Sequence, residues 1–88
     1  MQDESKGAFA VIRFNFLTYA AGGVMAIVKG RVHALATITQ FESAQSPEDR
    51  QAGWRYFLEK TDLKPGMDPA QATSMRQMRL DVRESQAQ

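Results

Sequence analysis

The chain predicts an α+β domain, with a small antiparallel sheet of two or three strands over residues 9–41 followed by two helices packed on one face of it. Three observations lead there. Residues 9–19 (FAVIRFNFLTY) are dense in β-branched and aromatic side chains. Residues 24–38 carry an apolar residue or glycine at every even position. Two helix-start signatures, at Ser46-Pro47 and Asp68-Pro69, then follow in the second half. An all-α bundle of three or four helices is the competing architecture.

In the first segment Ile12, Phe14 and Phe16 share one side of an extended chain, and Arg13 and Asn15 share the other. This period-two alternation marks a half-buried strand. Ala20-Ala21-Gly22-Gly23 reads as the turn that ends it. Over residues 24–38 the alternation passes through Gly30 without changing phase. A three-residue loop over 29–31 preserves it, and so does one long strand bulged at Gly30. A helical reading competes, because Val24, Val28, Val32, Leu35 and Ile38 also fit helical spacing. The β-branched content and the double glycine favour strands.

Ser46 is an N-cap residue, Pro47 suits the first helical position, and Glu48 and Asp49 complement the positive end of the helix dipole. Trp54, Phe57, Leu58 and Thr61 then form one apolar stripe, which predicts a helix ending at Lys64-Pro65-Gly66. Asp68-Pro69-Ala70-Gln71 repeats the start signature, with Gln71 at the capping-box position. That second helix is expected from Pro69 to about Glu84. The expected core is Ile12, Phe14, Phe16, Val24, Val28, Val32, Ile38, Trp54, Phe57 and Leu58.

The 88 residues suit one domain spanning 1–88, with polar, frayed ends at 1–6 and 85–88. Hydrophobic residues are 43% and charged residues 24%, an ordinary globular balance. The absence of cysteine excludes disulfides and thiolate-bound zinc, and favours a reducing, cytoplasmic setting. Asp3 and Glu4 oppose a signal peptide, which starts basic. The longest apolar run, residues 16–28, falls short of the roughly 20 residues that cross a membrane. No membrane association is expected.

Catalytic signatures are lacking. No nucleophile elbow, phosphate loop or dinucleotide fingerprint occurs, so no cofactor and no small-molecule substrate are expected. His33 is the only histidine, and metal sites need about three or four convergent ligands. Net charge is +1, yet the bases are unevenly placed. Arg76, Arg79 and Arg83 recur at helical spacing and form a stripe able to meet phosphates. In the strand reading Arg13, Lys29, Arg31 and His33 share the outer sheet face. Arg76, Arg79 and Arg83, with Arg31 and His33, are the candidate nucleic-acid or anion contacts. Met75, Met78 and Val82 form a thin apolar stripe on the last helix, the candidate interface. The leading expectation is a non-enzymatic protein-interaction module, self-associating as a homodimer or bound to a protein partner. The alternative is a nucleic-acid-binding accessory protein that uses the basic stripe.

Overall fold

The computed structural model describes the backbone of residues 7–87 and the side chains of residues 7–83. The elements in chain order are β1 (Ala8–Asn15), β2 (Ala21–Lys29), α1 (Arg31–Ala44), α2 (Pro47–Ala52), β3 (Trp54–Thr61) and α3 (Pro69–Ala87). The class is α+β. The strands form one antiparallel sheet in the order β2-β1-β3. Residues 1–6 and 88, where frayed ends are expected, lie outside the described residues, and α3 continues through 85–87.

β1 sits in the middle because it is apolar on both sides. Phe9 and Val11 are buried toward one face, Ala10 and Ile12 toward the other. Residues paired across a ladder share a face. Val11, Arg13 and Asn15 therefore lie with Leu58, Tyr56 and Trp54, while Ala10, Ile12 and Phe14 lie with Glu59, Phe57 and Arg55. α1 covers the first face, where Phe41 stacks on Tyr56 with ring centroids 5.3 Å apart. α3 covers the second, where Ala72 and Met75 join Ala10, Ile12, Val24, Ile27 and Leu63. The expected packing of helices on one face is thus corrected, because a strand buried on both sides needs a cover on each.

Gly30 corrects the expected strands between 30 and 41. Its φ of 88° turns the chain out of β2, and its carbonyl accepts the first helical bond, from the Ala34 amide at 3.0 Å. Such a φ is strained for any residue with a Cβ. The sheet-facing side of α1 then runs through Ala34, Ile38, Phe41 and on to Gln45, which leaves Val32 83% exposed. The even-position alternation is also broken inside β2. A bulge at Met25 sets Val24 opposite Ile12 and Ala26 opposite Val11, so Val24 and Ile27 share the α3 face.

The Ser46-Pro47 start holds: Ser46 Oγ accepts from the Asp49 amide at 3.1 Å. The expected length does not hold. α2 stops after six residues at Gly53, whose φ of 106° is left-handed. Trp54 to Thr61 is a strand, so Trp54, Tyr56 and Leu58 share a face that helical spacing does not give them. The Asp68-Pro69 start holds too, with Asp68 Oδ2 accepting from the Gln71 amide at 3.2 Å. Of the expected core, Ile12 and Val24 are buried. Phe14, Val28, Ile38, Trp54, Phe57 and Leu58 are half-buried, and Phe16 and Val32 are exposed.

One buried polar side chain ties the β1–β2 turn to the start of β3. Asn15 Oδ1 accepts from the Leu17 and Thr18 amides at 2.9 and 3.0 Å. Its Nδ2 donates to the Ala52 carbonyl at 3.0 Å. Gly53 lies against it: a Cβ there would stand 2.6 Å from Asn15 Oδ1. Asn15→Ala strands these partners and is expected to cost about 2 kcal/mol, or about 10 °C in Tm. Gly53→Ala adds the left-handed penalty to the clash and is expected to cost about the same. Reversible thermal unfolding followed by circular dichroism measures both, and Tm values within about 2 °C of the parent would contradict this account.

Candidate interaction surface

The two edges of the sheet differ. Phe16 N–H donates to the Gly53 carbonyl at 2.9 Å, which shows that even-numbered β1 residues bond toward β3. In an antiparallel ladder the bonding direction alternates along each strand. Tyr56 and Leu58 therefore turn their amide and carbonyl groups away from β1, to the outside of the sheet. Outward groups in the middle of β2 are engaged. The Val24 amide donates to Thr73 Oγ1 at 2.9 Å, and the Ile27 carbonyl accepts from the Gly66 amide at 2.9 Å. On β3 the Trp54 end is closed, where its carbonyl accepts from Gln45 Nε2 at 3.0 Å and Arg55 Nη1 at 2.7 Å. Tyr56 and Leu58 have no such backbone partner among the described residues. β3 is thus the open edge.

An aromatic cluster flanks this edge on the α3 face. α3 lies along β2 and leaves the Asn15 end of that face uncovered. Phe57, in the middle of β3, meets Phe16 edge-on at 5.1 Å and Phe14 at 6.3 Å. Tyr19 meets Phe14 at 6.3 Å. Phe16 is 50% exposed and Tyr19 78%. Tyr19 also holds a φ of 61°, an unfavourable left-handed conformation for an aromatic residue. Phe16 lies here because β1 ends at Asn15, so residues 16–20 form the turn and β2 begins at Ala21. The turn is therefore earlier than Ala20 to Gly23.

The opposite face near this end is filled. The Arg13 guanidinium lies 3.8 Å above the Trp54 ring and 3.6 Å from Asp49 Oδ2. The expected outer basic face of Arg13, Lys29, Arg31 and His33 does not form. Lys29 lies opposite Ala8 on the α3 face, Arg31 and His33 belong to α1, and Arg13 lies under cover.

The arginines of α3 are largely neutralised. Arg76 donates from Nε and Nη2 to the two carboxylate oxygens of Glu59, at 2.8 and 3.1 Å. These hydrogen bonds raise the Arg76 pKa above its ordinary value, against the opposing effect of partial burial. A raised pKa keeps the Arg76 guanidinium charged throughout the neutral range. Arg79 pairs with Asp62, and Arg83 is exposed one turn further on. A phosphate approaching this stripe would compete with two carboxylates. His33 is exposed on α1. Among the described residues no group of three or more histidine, aspartate or glutamate side chains is placed to hold a metal. No helix among them is long and apolar enough to cross a membrane.

The structure divides the proposed apolar stripe of α3. Met75 packs against the core, while Met78 and Val82 are 66% and 54% exposed. Met75 also lines a wide, open groove with Leu63, Met67 and Gln71, at whose rim Arg79 meets Asp62. Sequence reasoning missed the β3 edge because it read residues 54–61 as helix. The alternation Arg55, Phe57, Glu59 against Trp54, Tyr56, Leu58 was the available signal. No family model matches the chain, and no curated protein or solved structure does either.

If Glu59 and Asp62 neutralise the arginine stripe, the double variant Glu59→Gln, Asp62→Asn should elute from a heparin column at higher salt than the parent. Unchanged elution would mean that the carboxylates do not mask the stripe. Arg76→Ala should cost under about 1 kcal/mol in unfolding, since the pair is partly exposed.

Proposed function

We propose that the chain is a small non-enzymatic interaction module that self-associates. One observation carries this reading: the open edge of β3 runs beside an uncovered aromatic cluster of Phe14, Phe16 and Phe57. Unpaired strand groups offer a template for another strand and exposed rings are costly in water, and a partner that pairs with the edge takes up both. Natural sheets usually blunt such an edge with charge or a covering element. β2 has a covering element over its middle and β3 has charged side chains but no such cover there. The strained, exposed Tyr19 belongs to the same aromatic surface, and strain of this kind gathers at functional positions.

Catalysis has less support. The lone histidine stands exposed on α1. The nucleic-acid reading also has less support, because Arg76 and Arg79 already hold carboxylates. The compartment this reading assigns is the cytoplasm, on the lack of cysteine.

Sedimentation velocity over a wide concentration range tests the proposal. A reversible rise in mean mass with concentration is expected. Phe16→Ser should weaken that association with little change in Tm, since the ring is half exposed. A mass equal to one chain at every concentration would rule self-association out.

A further inference from the structure

We propose that two copies join through β3, antiparallel about a two-fold axis at Phe57, into one continuous six-stranded sheet. This rests on the self-association reading and adds the surface and the register. The argument is the residue order of β3, Trp54-Arg55-Tyr56-Phe57-Leu58-Glu59-Lys60, which is complementary to itself when reversed.

Backbone geometry restricts the possibilities. A two-fold pairing of identical edges must bring outward-turned residues opposite one another, and these are the even positions of β3. With the axis at Phe57, Tyr56 faces the partner's Leu58 and Leu58 faces the partner's Tyr56. Each of these pairs exchanges an amide-to-carbonyl bond in both directions. The ladder ends at these two central pairs, because the next one would use the Trp54 carbonyl, which Gln45 and Arg55 already occupy.

The side chains select this register. On the α3 face Arg55 lies opposite the partner's Glu59, Glu59 lies opposite the partner's Arg55, and the two Phe57 rings meet at the axis. Opposite charges directly across a ladder attract, and aromatic pairs add to packing. Moving the axis to Leu58 sets Phe57 against glutamate, and moving it to Glu59 sets two glutamates together. Both groups have capacity for the new contact. Arg55 uses only Nη1 in its bonds to the Arg50 and Trp54 carbonyls, leaving donors on Nε and Nη2. Glu59 accepts two bonds from Arg76, and a carboxylate has about four acceptor positions. Phe57 carries Phe14 and Phe16 beside it, so the aromatic clusters of the two copies become one across the axis. On the α1 face Tyr56 packs against the partner's Leu58.

The approach is open. α1 crosses its face diagonally, from Gly30 at the end of β2 to Gln45 at the start of β3, and meets β3 through Phe41 on the Tyr56 ring and Gln45 on the Trp54 carbonyl. On the other face α3 follows β2.

Charge reversal in mixed samples tests the register. Arg55→Glu alone sets two glutamate pairs across the axis, and Glu59→Arg alone sets two arginine pairs. Each is expected to weaken the dimer by roughly tenfold or more. An equimolar mixture of the two variants restores both ion pairs in the heterodimer and is expected to recover dimerisation. If the mixture associates no better than either variant alone, the register is wrong. Glu59→Arg also loses its bond to Arg76, so a second readout is needed. The chain has no cysteine, and in this register Phe57→Cys brings two thiols to one close pair, with Cα atoms about 4.5 Å apart. Full-length Phe57→Cys should oxidise to a covalent dimer under mild conditions, while Leu58→Cys should not. Cross-linking at Leu58 in place of Phe57 overturns the proposal. A parent dimer untouched by Arg55→Glu, with no Phe57→Cys cross-link, places self-association on another surface. A parent that remains a single chain defeats both readings.

Discussion

The structure depends on the double obligation of β1. This strand bonds to a neighbour on each edge and buries apolar side chains on each face, so every other element is positioned by what β1 requires. β2 and β3 satisfy its backbone. α1 covers Phe9 and Val11, and α3 with Leu63 covers Ala10 and Ile12. Asn15 closes its far end by holding the turn to β2 and the carbonyl of Ala52 before β3. A domain of this size buries only a modest share of its surface. Concentrating the burial in one strand is how it obtains a defined core.

The second half of the chain was more legible at its helix starts than at its helix ends. Ser46 and Asp68 cap the helices the sequence predicts, because a capping bond depends on three or four adjacent residues and nothing else. The end of α2 depended on Gly53, a single residue whose left-handed conformation is compatible with either a helix end or a turn. Reading past it converted an alternating strand into an apparent helical stripe. In the first half, β1 was recognised by its alternation. The switch at Gly30 was not, because the even-position pattern continued into a helix that packs through Ala34, Ile38 and Phe41 instead. Val32 fitted that pattern and is exposed.

The candidate contacts followed the same division. Arg76 and Arg79 were placed on one helix face correctly, but their meaning changed with residues that lie far from them in sequence. Glu59 and Asp62 sit 17 positions away and come within reach only because β3 and α3 flank the same loop. No local pattern encodes such a pairing. The aromatic surface was missed for a related reason. Phe16 reads as strand interior in the sequence, and only the turn that begins right after Asn15 brings it to the surface.

The unequal treatment of the two sheet edges has a consequence for how large an assembly can grow. The Thr73 hydroxyl and the Gly66 amide occupy outward groups of Val24 and Ile27 in the middle of β2, so that side is a poorer template for a newcomer. A sheet with two available edges adds copies without limit and becomes a fibre. With the middle of one edge covered by its own helix and loop, addition at the other edge is favoured over addition at both. The same two hydrogen bonds that hold α3 and its preceding loop against β2 therefore disfavour open-ended, edge-to-edge growth of this fold.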